Sequence, residues 1–508
     1  MARIKKVLVA NRGEIAIRVM RTCKELGLAT VAVYSEADRS ALHTRFADEA
    51  YCIGPAASRE SYLVIDNVLE AARKSDADAI HPGYGFLSEN AKFVRACEKA
   101  GITFIGPAAS SMDAMGEKTQ ARTNMIKAGV PVVPGNAAPF ANVDEAKAFA
   151  QKIGFPVMLK AAGGGGGKGM RRVDRVEDLD GAWRAARSEA MSAFGNDSVY
   201  MEKFLDQPHH VEIQVFGDMH GNVIHLNERE CSAQRRNQKV VEETPSPILT
   251  LEMRAAMGEV AVKAAKAVNY VGAGTVEFLV DAKRNFYFLE MNTRLQVEHP
   301  ITEWVTGIDL VAWQLHVAQG GVLPLLGPIA PRGHAIEVRI YAEDPATNFM
   351  PSPGTITYVR VPSGPGVRDD SAVYAGYRVP NFYDPMISKL SVWAPTRMEA
   401  ILKMRRALDE YVITGLTTNL RYLKQIVLHP EFVKGDYDTG FLGREHQKLL
   451  GEEDPALTRI SMIAAAMRAH QRAEKAQATL AAAHQPGASP GSAWRSGGRR
   501  PGSWKRGP

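Results

Sequence analysis

The chain is poor in cysteine: its 508 residues include only Cys23, Cys52, Cys97 and Cys231. No two of them stand at the short spacing that metal ligands need, and they do not form a disulfide framework. Cys23 and Cys97 fall in stretches of helical character, where a buried apolar thiol is the favoured interpretation. The cysteine pattern therefore excludes a disulfide-rich domain and a zinc module, and it predicts a reducing compartment.

Long apolar runs are also missing, because none reaches the roughly 18 residues that a membrane-spanning helix requires. The first residues carry no apolar segment followed by a cleavage site, which a secretory signal would show. We therefore expect a cytoplasmic protein with no membrane partner.

A basic surface is absent from most of the chain, although the net charge is +6. From residue 468 onward eight basic residues face one acidic residue, a net charge of +7 that leaves −1 for the first 467 residues. Nucleic-acid binding would require a basic stripe on the folded part. We therefore expect no nucleic-acid partner.

What the sequence does contain is an alternation of strands and helices. Its length predicts two to four domains, and 45% hydrophobic with 23% charged residues is typical of a globular protein. The first hundred residues predict a parallel sheet covered by helices, which binds ligands at the C-terminal ends of its strands. The loop 81–86, His-Pro-Gly-Tyr-Gly-Phe, follows such a strand and is either a pocket wall or a simple turn. The predicted strands are 5–10, 29–34, 78–81 and 103–105, and the predicted helices are 14–26 and 91–99.

Two further units begin near residue 131, and a tail follows them. The tail is Ala-rich and helix-prone over 455–483, and after residue 485 it consists mostly of Gly, Pro, Ser and Arg, which predicts disorder. The elements predicted for the first unit are a helix at 144–152, a strand at 156–162, a helix ending near 194 and a strand at 199–204. Those predicted for the second are strands at 211–216, 274–280 and 285–291, followed by mixed strand and helix over 333–447.

Residues 163–167 are five consecutive glycines followed by Lys-Gly-Met-Arg. Glycine lets the backbone approach a ligand and present successive N–H groups to phosphate oxygens. The run is not a Walker A loop, because no Ser or Thr follows the lysine. We favour a phosphate-binding lid over a flexible linker, with Lys160 and Lys118 as its cations, although each lysine taken alone could equally be a solvated surface group.

Five polar residues alternate along one segment after residue 289. In an extended chain, residues two apart face the same side, so these side chains share one face while Met291, Leu295 and Val297 point into the body. A solvated edge strand is the alternative, but it would more often carry Lys and Thr. The five residues are Glu290, Asn292, Arg294, Gln296 and Glu298.

The preceding strand supports a metal site. If Val280 pairs with Asn285, Glu277 falls opposite Phe288 and diagonal to Glu290 on the same face. Carboxylates this close repel one another unless a cation lies between them, and carboxylate and amide oxygens suit Mg²⁺. The predicted ligands are Glu277, Glu290 and Asn292.

Several motifs together closely resemble the biotin carboxylases of the ATP-grasp superfamily, from residue 4 to about residue 450. They are the glycine run and the segments Ala-Asn-Arg-Gly-Glu-Ile (10–15), His-Pro-Gly-Tyr-Gly-Phe-Leu-Ser-Glu-Asn (81–90), Arg-Arg-Asn-Gln-Lys-Val-Val-Glu-Glu (235–243), Glu-Met-Asn-Thr-Arg (290–294) and Glu-His-Pro (298–300). The resemblance implies a multidomain α/β and α+β fold. Its parts would be a Rossmann-like pre-ATP-grasp domain at 1–115, an ATP-grasp domain at 116–330 with a mobile lid at about 133–204, a C-terminal biotin carboxylase domain at 331–450 and a helical, then disordered, basic tail at 451–508.

The resemblance also implies a role for each candidate residue. Two Mg²⁺ or Mn²⁺ ions would bind the three carboxylate and amide ligands named above. The ATP-binding residues would be Lys118, Lys160, Gly163, Gly164, Gly165, Gly166, Gly167, Met170, Glu202, Lys203, Leu205, His210, Gln234 and Asn237. Bicarbonate would meet Lys239, Arg294, Gln296 and Val297, and biotin would meet Tyr84 and Arg339. The catalytic residues would be Glu298 as general base with Arg294, Arg339 and Lys239.

Some features depart from the family's common pattern. Asn237 stands where many members have His, which favours a subunit that serves an acyl-CoA carboxylase, with acetyl-CoA or propionyl-CoA as the acceptor. Gly-Pro-Gly at 364–366 differs from the segment through which bacterial homodimers pair. The biotin-carrying motif Ala-Met-Lys-Met is missing, and Lys403-Met404 lies in a helical pattern instead. We therefore expect biotin as a substrate on a separate carrier protein or domain, with a separate carboxyltransferase, in an oligomeric carboxylase complex.

Two other functions were weighed against this one. Another ATP-grasp ligase, such as a carbamoyl phosphate synthetase fragment or a purine-pathway carboxylase, would share the lid and the metal pair but would lack the 235–243 and 297–300 segments. A non-catalytic scaffold that binds partners through its basic tail would not need the intact polar face that ends at Glu298.

Overall fold

The computed structural model describes residues 3–136, 139–161, 170–327, 329–451 and 455–483. The chain divides into two compact units, Met1–Leu450 and Gly451–Pro508. Among the described helices, none combines the length and the apolar character that crossing a bilayer requires. The glycine run at 163–167 and the tail beyond residue 483, for which a lid and disorder were predicted, lie outside the described residues.

A parallel five-stranded sheet begins the first unit. Its strand order is β3-β2-β1-β4-β5, so the order reverses at β1, which has β2 on one side and β4 on the other. Residues on alternate sides of β1 enter different cores: Val7 and Val9 pack with α1, whereas Leu8 packs with α3 and α4. The strands are β1 (Lys6–Val9), β2 (Ala29–Tyr34), β3 (Glu49–Cys52), β4 (Ala79–His81) and β5 (Thr103–Phe104), and the helices are α1 (Gly13–Glu25), α2 (Leu42–Phe46), α3 (Ile65–Lys74), α4 (Ala91–Lys99) and α5 (Ala109–Gly116).

The reversal point brings two loops together. Ligands of such sheets bind where the strand order switches, at the C-terminal ends of the strands. Asn11 follows β1, and its side-chain amide donates hydrogen bonds to the carbonyls of Pro82 (2.7 Å) and Tyr84 (2.8 Å) after β4. The 81–86 loop is therefore fixed at the edge where a ligand is expected.

A small antiparallel sheet forms the next layer, in the order β7-β6-β8. It has its own core, in which Leu159, Trp183 and Met201 pack with residues of two helices. Its elements and the helix before them are α6 (Lys118–Lys127), α7 (Val143–Ile153), β6 (Val157–Ala161), β7 (Met170–Val173), α8 (Leu179–Phe194) and β8 (Val199–Lys203).

An eight-stranded sheet forms the centre of the unit, in the order β13-β12-β9-β10-β11-β14-β21-β19. The predicted boundary at 330/331 falls between α11 and β14, and strands from both sides of it share this sheet through the pairing of Glu242 with Glu337. The elements from β9 to β14 are β9 (His209–Gly217), β10 (Val223–Arg235), β11 (Gln238–Thr244), α9 (Leu251–Lys266), β12 (Gly272–Val280), β13 (Phe286–Asn292), α10 (His299–Thr306), α11 (Leu310–Ala318) and β14 (His334–Tyr341).

The rest of the first unit packs helices against the far end of this sheet. Met404, Leu423 and Phe441 lie in one core with Leu390 and Val392. The strands there are β15 (Glu343–Asp344), β16 (Met350–Pro351), β17 (Gly354–Thr355), β18 (Tyr358–Arg360), β19 (Val367–Ser371), β20 (Arg378–Val379), β21 (Met386–Ala394) and β22 (Val412–Thr414). The helices are α12 (Arg397–Glu410), α13 (Leu420–Leu428), α14 (Pro430–Lys434), α15 (Phe441–Arg444) and α16 (His446–Leu450).

The second unit contains α17 (Pro455–Ala483) in its described part, over the residues that the alanine-rich sequence predicted to be helical. The multidomain α/β and α+β fold class is confirmed. The long strands β10 and β11 were not predicted, because they bury charged residues such as Arg229 and Glu230 and therefore lack an apolar alternation. The predicted domain boundaries stay predictions.

Candidate active site

The hairpin of β12 and β13 brings Glu277 and Glu290 together, in a register that differs from the prediction. Val280 pairs with Phe286, not with Asn285, and an irregularity between Glu277 and Phe278 shifts the pairing further. Glu277 therefore lies directly opposite Glu290 rather than diagonal to it. Directly opposed residues have Cβ atoms about 4.5–5.5 Å apart. The predicted register was wrong because an extra residue in a bulge cannot be read from alternation.

The polar segment is not one extended strand, as the alternation had suggested. Strand β13 ends at Asn292, and Glu298 is the N-terminal cap residue of α10. The side chains still converge, because the Asn292 amide (2.8 Å) and the Gln296 amide (3.0 Å) both donate to Glu277 Oε1. These side chains are therefore brought together by hydrogen bonds to the Glu277 carboxylate, and not by a common face of one strand.

Of the three apolar residues in that segment, two are buried as predicted and one is not. Met291 and Leu295 are buried as expected. Val297 is only half-buried and lines a cavity, so its predicted orientation into the body is wrong. The chain turns at residues 297–298, and a turn breaks the two-residue periodicity on which the prediction depended.

Lys239 on β11 is the centre of the site. Its ammonium group donates to Glu277 (2.8 Å), to Glu298 (2.7 Å) and to Glu212. Burial lowers the pKa of Lys239, but the three carboxylates outweigh burial and raise that pKa well above its ordinary value. The lysine is therefore a fixed positive charge shared by three acidic groups.

Arg339 on β14 completes the surroundings of Glu298. It contacts Glu298 at 2.9 Å and Glu242 at 2.6 Å. Burial raises the pKa of Glu298, but Lys239 and Arg339 outweigh burial and hold it well below its usual range. For Glu242 burial prevails and raises the pKa to about 7. Glu298 is thus ionised at neutral pH, although it is only 1% exposed.

Arg229 on β10 also contacts residues of this cluster, and the sequence analysis did not predict it. Its fully buried guanidinium bonds to Glu212, and it donates to Gln296 Oε1 at 2.7 Å and to Thr302 at 2.9 Å. The bond to Gln296 fixes which way that amide faces, so its nitrogen points to Glu277. The sequence did contain a signal for Glu212, the partner of Arg229. His210, Glu212 and Gln214 alternate along β9 in the same way as the predicted polar face.

The residues predicted for ATP are partly paired with one another. Lys160, predicted for the phosphates, contacts the carboxylate of Glu202, predicted for the adenine. Arg122, which was not predicted, contacts the same carboxylate at 3.0 Å. Lys203 donates through Nζ to the carbonyls of Gly154 and Phe155, at 3.0 and 2.8 Å. Their ATP-binding roles stay predictions, as does that of Leu205, the second residue after β8.

Other predicted ATP residues lie nearer to the acidic pair. His210 Nε2 is 3.0 Å from Glu277, and its Nδ1 is 3.5 Å from Gln234. Lys118 is 3.7 Å from Glu290, and Met170 pairs with Lys160 across β6 and β7. Asn237 occupies the two-residue turn between β10 and β11 with φ +64°, where Arg236 also has positive φ. Asn is favoured in such turns, so local conformation by itself accounts for Asn at this position.

The predicted metal ligands suit a hard cation. Glu277 and Glu290 face each other across the hairpin, and the Asn292 amide lies against Glu277. Carboxylate and amide oxygens are the donors that Mg²⁺ prefers. The ligand atoms of His210, Glu212 and Glu277 also lie within 4.8 Å of one another. The donor set is therefore compatible with a bound divalent cation beside Lys239.

A cavity of about 610 Å³ lies next to the cluster and connects it to the first sheet. Tyr84, Arg294, Val297 and Arg339, which the resemblance assigned to biotin and bicarbonate, all line it. Arg294 also contacts Glu89 at 3.0 Å. Four of the predicted biotin and bicarbonate residues thus share one cavity, whereas Lys239 and Gln296 are not part of its lining. Glu298 is joined to this cavity by its contact with Arg339.

Comparison with known proteins identifies the family. Three family models match, described as the biotin carboxylase N-terminal domain (3–112), the carbamoyl-phosphate synthase L chain ATP-binding domain (117–326) and the biotin carboxylase C-terminal domain (337–444). The biotin carboxylase of Halalkalibacterium halodurans is 53% identical over 452 residues, which cover 89% of this chain and 100% of that protein. The chain belongs to the biotin carboxylase family. As a member it is a ligase of the ATP-grasp class.

Two further relatives show the breadth of this biotin carboxylase family. The alpha subunit of mitochondrial methylcrotonoyl-CoA carboxylase from Dictyostelium discoideum is 52% identical over 454 residues, 89% of this chain and 65% of that protein. The biotin carboxylase domain dimer of Hydrogenobacter thermophilus 2-oxoglutarate carboxylase, solved with MgADP, ADP and bicarbonate, has a TM-score of 0.85 and 48% identity, covering 89% of this chain and all of that one. The family therefore serves several different acceptors.

Replacing Arg229 with Met should strongly destabilise the protein. The substitution leaves Glu212 buried without its guanidinium partner, and breaking a buried ion pair costs about 3–5 kcal/mol. Urea denaturation followed by fluorescence should show this loss in the free energy of unfolding. Arg406→Met is the matched control, because Arg406 pairs with Glu410 on an exposed helix face and such a pair contributes about 0.3–0.5 kcal/mol. Equal losses in the two variants would show that the buried network does not stabilise the site.

Proposed function

We propose that the chain catalyses the ATP-dependent carboxylation of biotin by bicarbonate, through carboxyphosphate, as the first half-reaction of an acyl-CoA carboxylase. The observation that carries this proposal is the position of Glu298. Its ionised carboxylate lies between Lys239 and Arg339. One of these cations adjoins the predicted metal ligand Glu277, and the other lines the cavity predicted for biotin.

ATP is proposed to bind on the side of the small antiparallel sheet. Lys118, Lys160 and His210 supply cations or donors for the phosphates, and the glycine run at 163–167 covers them. Glu277, Glu290 and Asn292 would hold two Mg²⁺ or Mn²⁺ ions. When bound, such ions neutralise charge on the phosphate oxygens. The lid excludes water, because carboxyphosphate that meets water is lost to hydrolysis.

Bicarbonate is proposed to bind between Lys239, Arg294, Gln296 and the backbone of Val297. The ionised Glu298 has the protonation state that a general base needs. An anion placed here takes a share of the Lys239 and Arg294 charge, and the pKa of Glu298 rises as its own share falls. Glu298 then removes the bicarbonate proton, and the bicarbonate oxygen attacks the γ-phosphorus of ATP, releasing ADP and forming carboxyphosphate.

Biotin is proposed to enter the 610 Å³ cavity beside Tyr84 and Arg339. Carboxyphosphate breaks into CO₂ and phosphate, and the phosphate takes the N1 proton of the ureido ring. As that proton leaves, negative charge develops on the ureido oxygen. The ureido nitrogen then forms the new bond to CO₂, and the charge passes to the new carboxylate from the ureido oxygen. Arg339 is placed to donate to that oxygen, and a donor aimed at developing charge contributes roughly 3–4 kcal/mol.

The partners are proposed from the same reaction. Biotin would be carried on a separate carrier protein or domain, and a separate carboxyltransferase would use the carboxybiotin, within an oligomeric complex in the cytoplasm. Asn237 supports an acyl-CoA such as acetyl-CoA or propionyl-CoA as the final acceptor. Its turn conformation accounts for the residue equally well, so purification of the chain with its carboxyltransferase is the experiment that assigns the acceptor.

Replacing Glu298 with Gln should abolish bicarbonate-dependent ADP formation. The wild-type chain should form ADP from MgATP when bicarbonate is present, and faster when free biotin is added. This stimulation by biotin separates it from other ATP-grasp ligases. Removing a general base typically lowers the rate about 10²–10⁴-fold. A coupled assay for ADP measures this rate, and Glu410→Gln on an exposed helix face is the control. Undiminished turnover in Glu298→Gln would reject Glu298 as the base, and MgATP binding without turnover in the wild type would favour a non-catalytic scaffold.

Replacing Arg339 with Ser should impair the carboxylation of free biotin more than the binding of ATP. Loss of one charge-stabilising donor lowers kcat about 10²–10³-fold, whereas the cavity that Arg339 lines contains none of the predicted ATP residues. Steady-state assays with free biotin and calorimetric titration with MgATP measure the two effects. Arg405→Ser, at an exposed position on α12, should change neither. A parallel loss of nucleotide affinity would contradict the role of Arg339.

A further inference from the structure

Two successive backbone carbonyls in the turn before α10 are held by buried side chains. The Gln296 carbonyl accepts a hydrogen bond from His299 Nδ1 at 2.8 Å. The Val297 carbonyl accepts one from Lys389 Nζ at 2.7 Å. Both donor side chains are fully buried. The backbone that leads from Gln296 through Val297 into Glu298 is therefore fixed by two buried side chains.

Lys389 is an unusual donor for a backbone carbonyl. Its strand, β21, pairs it with Asp370 on β19, but Asp370 already has a partner in Arg368 at 2.7 Å. Its neighbours also include Arg339, with which it pairs on β14, and the buried Glu337 on the same strand. The Glu14 carboxylate lies 3.5 Å away, and the centroid of the Tyr84 ring is 5.5 Å from Nζ. Glu14 and Tyr84 belong to the two motifs at 10–15 and 81–90 that the reaction proposed above leaves partly unexplained.

Glu14 has the properties of a counter-charge to Lys389. Its two carboxylate oxygens are shielded from solvent, and within the described residues neither accepts a hydrogen bond. Burial raises the pKa of Glu14 to about 7, and the charge of Lys389 opposes that rise. Glu14 lines the cavity, and its carboxylate lies 3.5 Å from the Lys389 ammonium group, where it offsets that buried charge.

Burying an ammonium group is costly, and an apolar residue of similar volume usually serves stability as well or better. The position of Lys389 therefore calls for another explanation than stability. We propose that Lys389 is a positioning residue, which holds the Val297 carbonyl and the Tyr84 ring so that Glu298 and the biotin cavity keep their relative geometry, with Glu14 as its counter-charge. The proposal rests on the proposed function and adds a residue to it.

The expected consequence of losing Lys389 is a lower reaction rate, with no change in the affinity for ATP. A displacement of about 1 Å at a reacting group can cost a factor of about 10² in rate, even when the substitution is remote from the chemistry. Lys389→Met removes the only side-chain hydrogen bond to the Val297 carbonyl among the described residues. We expect kcat for biotin-dependent ADP formation to fall about 100-fold, with unchanged affinity for MgATP measured by calorimetric titration.

Lys403→Met is the matched control. Lys403 also donates through Nζ to a backbone carbonyl, that of Trp393 at 2.6 Å, near the other end of β21. It lies outside the proposed catalytic residues, so its loss should change thermal stability without lowering kcat. A kcat for Lys389→Met equal to that of Lys403→Met would overturn the proposal.

The double variant Glu14→Gln/Lys389→Met separates positioning from stability. Glu14→Gln removes the acidic group that Lys389→Met leaves without its cation, so the double variant should recover thermal stability. The proposal expects kcat to stay about 100-fold low in this stable protein. Recovery of kcat together with stability would show that Lys389 is merely structural. This double variant is also the one to assay if Lys389→Met alone does not fold.

The wild-type assay distinguishes the two levels of the argument. If the wild-type chain forms no ADP with bicarbonate and free biotin, the proposed function has failed. If the wild type is active and the double variant matches it, only the role of Lys389 has failed.

Discussion

One shared positive charge holds the site together. Lys239 contacts three carboxylates that come from β9, β12 and the turn before α10. Without the lysine, three buried acidic groups within a few ångströms would repel one another and take up protons. The buried cluster is stable only because Arg229 and Arg339 add further positive charges beside Glu212 and Glu298. The ionised state of Glu298 is therefore a property of the whole cluster and not of the residue.

The central sheet makes that cluster possible. Its eight strands run from the hairpin with Glu277 and Glu290 to β14 with Arg339 and β21 with Lys389. Five of its strands contribute the charged residues Glu212, Arg229, Lys239, Glu277 and Arg339, and the sheet fixes the distance between these strands. The site therefore depends on strands from both sides of the predicted 330/331 boundary. Neither side contains the base and all of its cations.

Sequence reasoning succeeded where chemistry followed local pattern. The alternation from Glu290 to Glu298 selected Asn292, Gln296 and Glu298, which are joined by hydrogen bonds through Glu277 and Lys239 even though the segment bends at its end. The predicted register of Glu277 was wrong, because Val280 pairs with Phe286 at the hairpin turn and a bulged residue then shifts the pairing further. Sequence reasoning also missed Arg229, since a fully buried arginine on a strand without apolar alternation has no periodic signature. The contact between Lys160 and Glu202, 42 residues apart, could not be seen in either local sequence.

The sequence by itself determined most strands of the first sheet, the chemical groups of the site and the family motifs, because these are written in neighbouring residues. Only the tertiary structure decided which groups touch. Lys239 and Glu277 are 38 residues apart, and Lys389 and Val297 are 92 apart. Burial, ionisation and hydrogen bonding at such separations depend on how distant strands pack. Periodicity along the chain carries no information about them.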